Sequence, residues 1–491
     1  MINRKLDRVG IFLAALAVLA AAALWRNTPH LAPGAFNWAE TGNTAAALVE
    51  GRGFSDPFNG GTGATAWIPP LPVWIEAGVF LVAGVKTAAS AQLLLALAVV
   101  GLAATCTLLV AALPPDQPWL RGATGGSFLA LLIYLPDGPF EVMSEAWLDL
   151  LLSAALLWAA LRHRPSPGRG VTAGLAAVAL LAPLAHAGLA LATLVVLAIL
   201  IWREISEKRP RSARAAPFMA AAAATLALGG WTARNAVALH HFVPLKSNFW
   251  CELHLANVAS SDGLVRAEHV WHWLPFFSPE EFSRYATLGE ARYVESFRAP
   301  TLAALRAGPG HFAANIARRL ANALLFCRRE DGSALTHTPF APADAQRLTA
   351  AGDLLPVGGT GIACWLRIDA PPDHTYARFA AMGLTNLSGV WRDWTEKRVA
   401  YDRARFGVGG LMVGFLTAGV PTLALLGAAL AGRGRLPAPC TWAALIAGVM
   451  LLPFVLVNHG YRHQLPVLAM QTVIIGACVQ GWVARSRGTS S

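Results

Sequence analysis

The sequence predicts an all-α polytopic membrane protein: about ten transmembrane helices, juxtamembrane helices in the first outer loop, and a long mixed outer region. Three observations predict it. Of the 491 residues, 55% are hydrophobic and 14% charged, against roughly 25% charged in an average soluble protein. Several apolar runs are long enough for a hydrocarbon core of ~30 Å when some are short or tilted. The Lys and Arg residues gather in a few loops, so the net charge of +11 reads as membrane topology and implies no nucleic-acid partner.

The first run, Val9–Trp25, follows MINRKLDR. Its length, and the lack of a small-residue cleavage site before Arg26-Asn27, predict a retained span rather than a signal peptide. The later candidates are Leu71–Val85, Ala88–Leu113, Ala123–Leu135, Ala146–Leu161, Val171–Ala185, Leu189–Trp202, Ala215–Trp231, Val408–Ala431, Trp442–Val457 and Leu465–Val483. Leu71–Val85 is short, contains Glu76 and begins at Pro69-Pro70. Laid in the interface, it puts Arg121, the Arg162/Arg164/Arg169 loop, the Arg203–Arg214 loop, Arg433/Arg435 and Arg485/Arg487 in the cytoplasm. As a span, it turns all but the last two outward. The positive-inside rule therefore favours ten spans with both termini inside, and eleven is the alternative. The division that follows is 1–232, an N-terminal transmembrane region with its outer loop at 26–87, then an outer region 233–405 and a C-terminal transmembrane region 406–491.

Between the spans, AETGNTAAALVEGRGFSDPF (39–58) predicts a short helix from about Thr41 to Val49. Gly51 fits the left-handed position after its end. Asn37 and Glu40 are spaced as an N-cap and its third-position carboxylate, so Glu40 is first of all a helix cap. PTLAALRAGPGHFAANIARRLANALLF reads as two helices broken at Gly308-Pro309-Gly310. The six cysteines show no metal-binding spacing, and Cys251, Cys327 and Cys364 share one polar region with room for one disulfide. GGTG (60–63) lacks the Lys-Ser/Thr and the strand of a phosphate loop. Ser55-Asp56-Pro57 reads as a turn.

With the interfacial choice, Glu40, Glu145, His186, Arg234, the outer region and His459/Tyr461/Arg462 fall on the non-cytoplasmic side. Acids and bases at membrane depth are costly, so their gathering on one face points to a site. ETGNTAAALVEGRGFSDPFNGGTGATAWIPPLPVWIEAGVF resembles the first outer loop of bacterial GT-C class integral-membrane glycosyltransferases, relatives of protein mannosyltransferases and lipid A aminoarabinose transferases. It has an acid opening a juxtamembrane helix, a Gly-x-Gly-Phe-Ser turn, a Thr-Gly-x-Thr-Ala-Trp segment and a Pro-Pro pair entering a surface helix. MSEAWLDLLL, RNAVALHHFVPLKSNFWCEL and GYRHQLPVLAM are similar to later family segments, in the same order. The resemblance implies a helical bundle in the bacterial inner membrane with an active face outside the cytoplasm. It implies transfer of a sugar from a polyprenyl-phosphate carrier to a lipid, glycan or protein acceptor, with a first-loop carboxylate, here Glu40, as the base. No cofactor is implied with certainty, and a divalent metal stays open.

Such transfer needs a base for the acceptor hydroxyl and a cation for the departing phosphate. Glu40 and Glu145 are the candidate catalytic acids, although a charge at a helix N-terminus also explains Glu145. The phosphate favours Arg, with several fixed donors: Arg234, Arg462 and Arg52 are the candidates, with Lys246 and His459 behind them. Glu252, Asn257, Glu290 and Tyr293 are candidate substrate contacts whose plainer role is structural hydrogen bonding. The competing class is a transporter or flippase of lipid-linked glycans. It would show repeated halves with broken helices at the midplane, and this chain is instead lopsided.

Overall fold

The computed structural model describes residues 2–27, 40–115, 117–134, 145–163, 168–208, 211–260, 263, 275, 279–326, 354–357, 363–366, 415–431, 436–457 and 461–488. The chain begins α1 (Ile2–Asn27), α2 (Glu40–Val49), α3 (Pro70–Ala83), α4 (Ala88–Ala112), α5 (Pro118–Tyr134), α6 (Ala146–Arg162), α7 (Arg169–Ala185), α8 (Ala187–Ser206) and α9 (Arg211–Leu239). A more polar layer follows: α10 (Phe249–His254) with a π-helical turn Leu255–Ala259, α11 (Pro279–Leu288), α12 (Glu290–Glu295), α13 (Arg298–Ala307) and α14 (Pro309–Ala321), which runs into a second π-helical turn. An antiparallel hairpin pairs β1 (Leu354–Val357) with β2 (Ala363–Leu366). The chain returns to apolar helices in α15 (Val420–Ala431), α16 (Ala438–Leu456) and α17 (Tyr461–Gly488).

The body is all-α, and the hairpin lies in the region expected to be mixed. Apolar runs become helices because a helix satisfies its backbone polar groups internally, as lipid requires. Among the described residues, four helices are long and apolar enough to cross a membrane: α4, α8, Ala215–Leu239 of α9, and α16. Side chains such as Leu226 (74% exposed) and Leu430 (81%) point outward from the bundle, where lipid accepts what water would reject. This is a multi-pass, membrane-embedded helical protein.

α4 is the central post, packed against α1, α3, α5, α6 and α17. Thr87 and Ser90 cap its start reciprocally: Thr87 Oγ1 accepts from the Ser90 amide (3.1 Å) and Ser90 Oγ from the Thr87 amide (2.9 Å). Gly101 lets α6 approach, because a Cβ there would lie 2.5 Å from the Trp147 ring.

Hydrogen bonds define the bundle's two ends. At one, Arg121 Nε donates to Val110 O (3.3 Å) and Arg162 Nη2 to Ala111 O (3.3 Å), both at the C-terminal end of α4, while His163 meets Glu204 (2.9 Å). Cations suit those helix-end carbonyls. At the other, His186 caps α8 through Gly188 N (3.1 Å) and stacks on Phe454 near the end of α16. The segment leading into α3 is tied by Ser247 N to Ala66 O (2.9 Å), and the turn leaving it by Lys86 Nζ to Asn43 Oδ1 (2.6 Å).

Candidate functional site

α2 starts at Glu40, one residue before the predicted position, so the carboxylate sits in the first turn and is favoured there by the helix dipole. Asn37, its proposed cap, lies outside the described residues. Residues Thr41–Ala47 are all buried, so α2 is an inner element. It stops as expected at Gly51 (φ +81). Arg52 N donates to Ala47 O (2.9 Å) and Gly51 N to Leu48 O (3.2 Å), the paired bonds of a Schellman end.

The loop then doubles back. Asn43 Nδ2 donates to Pro57 O (3.0 Å). Asp56 is buried, at φ 65. One carboxylate oxygen accepts from Thr62 N (2.6 Å) and Thr62 Oγ1 (3.1 Å), while the other is ion-paired with Arg52. Asp56 is a loop staple, in keeping with its reading as a turn. Arg52 also meets Glu50 (2.5 Å), whose hydrogen bond raises the guanidinium pKa further.

Arg234, on α9, clamps the same loop. Nη1 donates to Thr65 O (2.6 Å) and Nη2 to Phe54 O (2.6 Å), and the guanidinium lies over the Phe54 and Trp231 rings at 5.1 and 5.0 Å. A cleft of about 400 Å³ opens here, lined by Arg52, Phe54, Asp56 and Arg234 among others. Two of the predicted phosphate ligands thus share one cleft. Lys246 is half-buried beside Ser247. The Arg462 side chain and all of His459 lie outside the described residues.

The predicted substrate contacts are built into the polar layer. Glu290 is 3% exposed. Its Oε1 accepts from Ala66 N (2.6 Å) and its Oε2 from Tyr285 Oη (2.6 Å) and from Thr65 Oγ1. Burial raises its pKa, and these bonds pull it back only in part. Tyr293 is fully buried and donates to Glu281 (2.8 Å). Glu252 accepts from Asn248 (3.1 Å). Asn257 Oδ1 accepts from Arg319 Nη2 (3.0 Å). Cys251 is a buried free thiol, so it takes no part in a disulfide. The Cys327 and Cys364 side chains lie outside the described residues.

Sequence reasoning missed Arg319. Its side chain is fully buried, and its five N–H groups reach five neutral acceptors: Val455 O (2.7 Å), Ala256 O (3.3 Å), Gly263 O (2.9 Å), Asn257 Oδ1 and Leu456 O (3.3 Å). Burial lowers its pKa to about 10, so it stays charged at neutral pH. ARRLAN gave no cue, because an Arg in an amphipathic helix normally faces solvent.

Asn43 ties the helix opened by Glu40 to the turn after α3. Glu40 and Asn43 lie one turn apart on α2, hence on neighbouring positions of one face. Asn43, 1% exposed, holds Lys86. Glu76, on α3, is 6% exposed. Burial first, then the charge of Glu145, push its pKa well above the usual carboxylate range, against the pull of Lys86. Glu145 stands half-buried at the N-cap of α6 without a side-chain cap bond, its carbonyl accepting from Leu148 N (2.9 Å). A lone acid in an apolar helix was the available signal for Glu76, and the sequence reading spent it on topology. Among the described residues no three metal-ligating side chains converge. Compared with family models, with characterised proteins and with solved structures, the chain matches none.

Proposed function

We propose that the chain is a membrane glycosyltransferase that moves a sugar from a polyprenyl-phosphate carrier to a lipid, glycan or protein acceptor on the non-cytoplasmic face. One observation carries the reading: Arg52 and Arg234, two of the expected phosphate ligands, line one cleft on the loop that follows the helix opened by Glu40.

In this mechanism Glu40 accepts the acceptor's hydroxyl proton as the new bond forms, and Glu145 orients the acceptor. Arg52 and Arg234 steady the phosphate as it leaves. Arg52 is 43% exposed, so its pairing with Glu50 can yield to a phosphate. Arg234 keeps its clamp on the loop and adds charge. A single carboxylate base suits one displacement with inversion.

Ten spans with α3 in the interface belong to the same proposal. α3 has 14 residues, about 21 Å of helix, and the turn that leaves it is tied to Asn43 on α2, one turn from Glu40. The opposite end carries Arg121, Arg162 and Arg203, which fits a cytoplasmic face.

The test is sugar transfer from a polyprenyl-phosphate donor in reconstituted membranes. Glu40→Gln should lower the rate on the order of 10²–10⁴-fold, the worth of general base catalysis. Full activity in that variant would remove Glu40 as the base. Intact lipid flipping without transfer by the native protein would assign it to transport instead.

A further inference from the structure

The cysteines play no part in the proposed transfer, yet two of them meet. Cys440 Sγ and Cys478 Sγ lie 3.8 Å apart. Cys440 stands in the first turn of α16 and is fully buried, while Cys478, on α17, is half-buried. α16 and α17 pack against each other across a short link, which sets the start of one helix beside the later part of the other. Cys106, also buried, turns its Sγ to Gly125 O (3.9 Å) instead, and Cys251 lies in the polar layer. A single buried cysteine packs as a small hydrophobe. Two thiols in contact carry a further chemistry.

Their place in the bundle narrows it. Gly476, two residues before Cys478, lies close against the end of α4 and the start of α5. A Cβ there would be 2.6 Å from Thr124 Oγ1 and 3.1 Å from Leu113 Cδ1. The pair therefore sits toward the end where Arg121 and Arg162 meet the last carbonyls of α4. In the topology proposed above that end faces the cytoplasm, where disulfides are rare and those that form are mostly transient. A redox-sensing thiol is reachable from outside and stands beside a resolving thiol. We propose that Cys478 and Cys440 are such a pair, closed to a disulfide by a hydroperoxide and reopened by an external thiol. The contact between them depends neither on that topology nor on the glycosyltransferase reading.

The Cys478 sulfur, the more exposed of the two, attacks one oxygen of the hydroperoxide. The O–O bond breaks, water or an alcohol leaves, and the sulfur is oxidised to a sulfenic acid. The Cys440 sulfur then attacks the Cys478 sulfur. The S–S bond forms as the S–O bond breaks, and the departing hydroxide takes the Cys440 proton and leaves as water. An external thiol reverses the closure by exchange: it is oxidised to its own disulfide, and both cysteines regain their protons. An S–S bond is about 2.05 Å long, so closing from 3.8 Å brings the sulfurs nearer by about 1.8 Å, within reach of side-chain rotation. The bond pins the α16–α17 pair at the end away from Val455 O and Leu456 O, the acceptors of Arg319.

The full chain, reduced and placed in lipid nanodiscs, is treated with hydrogen peroxide or with cumene hydroperoxide, then denatured, labelled with a maleimide and mapped by mass spectrometry. Cys440 and Cys478 should lose label together as one disulfide-linked pair of peptides, and dithiothreitol should restore both. The oxidised protein should unfold at a higher temperature, because the bond constrains the unfolded chain. Closure by hydrogen peroxide puts access to Cys478 on the water side; closure by cumene hydroperoxide alone puts it on the lipid side. In Cys440→Ser, dimedone should capture Cys478 as a sulfenic acid several-fold more than in the native protein. In Cys478→Ser, Cys440 should keep its label. The native protein alone can overturn the proposal: no Cys440–Cys478 bond with either peroxide, preferred pairing of either residue with another cysteine, or a bond that dithiothreitol does not reopen. An unchanged or lower unfolding temperature would overturn the pinning of the two helices. Oxidation of Cys440 in Cys478→Ser as fast as in the native protein would overturn Cys478 as the attacking thiol.

Discussion

Glu290 gives the most direct measurement of how the polar layer holds the first loop. Substituting Ala removes the acceptor from three donors at once: the Ala66 amide and the Thr65 and Tyr285 hydroxyls. Hydrogen bonds to a charged group contribute about 1.5–3 kcal/mol each. Relief of burying the carboxylate offsets part of that sum. A net loss of about 3–5 kcal/mol is expected for Glu290→Ala. Glu290→Gln should cost about 1–2 kcal/mol, because its carbonyl still accepts from Ala66 N and the two hydroxyls can turn to accept from the amide.

Thermal unfolding in detergent reads the stability, and the emission of Trp67 reports locally, since that ring packs edge-on against Phe58 and Tyr285. The pH dependence has a definite sign. The folded pKa of Glu290 is raised, so the folded protein binds this proton more tightly than the unfolded chain. That contribution is complete below the unfolded value of about 4.3 and is lost as pH rises through the folded value. Glu290→Gln should remove this part of the slope. An Ala variant within about 1 kcal/mol of native, or a Gln variant as unstable as Ala, would refute the reasoning.

Arg319→Ala should destabilise by about 3–5 kcal/mol, because five buried acceptors lose a charged donor together. Arg319→Lys offers three donors for five acceptors and should fall between Ala and native, as measured by chemical unfolding. Arg234→Lys keeps a charge but cannot bridge Thr65 O and Phe54 O with one fork. It should expose the loop from Arg52 to Thr65 to proteolysis as well as weaken donor binding. Weakened donor binding with unchanged loop protection would separate its phosphate role from its clamp.

Much of the architecture was legible because the bilayer leaves few choices. Long apolar runs had to be helices; α4, α8 and α16 were expected within a few residues of where they lie, whereas α9 runs eight residues past its expected end at Trp231. The breaks at Gly51 and Gly308 were readable from local chemistry, since only a left-handed or helix-starting residue suits those points. The site was less legible. Pairings such as Glu290 with Thr65 span 225 residues, and nothing local in LGEARYVESF says whether its acid faces a ligand or a loop backbone. The same limit hid Arg319, whose five acceptors come from three separate segments.

The placement of α2 bears on whether base and phosphate ligands can serve one substrate. Ten residues give α2 a length of about 15 Å, which alone would hold Glu40 too far from Arg52 for a single sugar ring to touch both. The loop folds back along the helix. Pro57 returns to Asn43, one turn from Glu40, and its neighbour Asp56 is ion-paired with Arg52. The wall of the cleft therefore runs back along the helix toward the acid. The Asn43 side chain works on both sides at once, donating to Pro57 O and accepting from Lys86 Nζ. It ties α2 to both the Pro57 turn and the turn after α3. Its near-complete burial marks α2 as an inner element of the fold, which a simple cap on an exposed helix would not need.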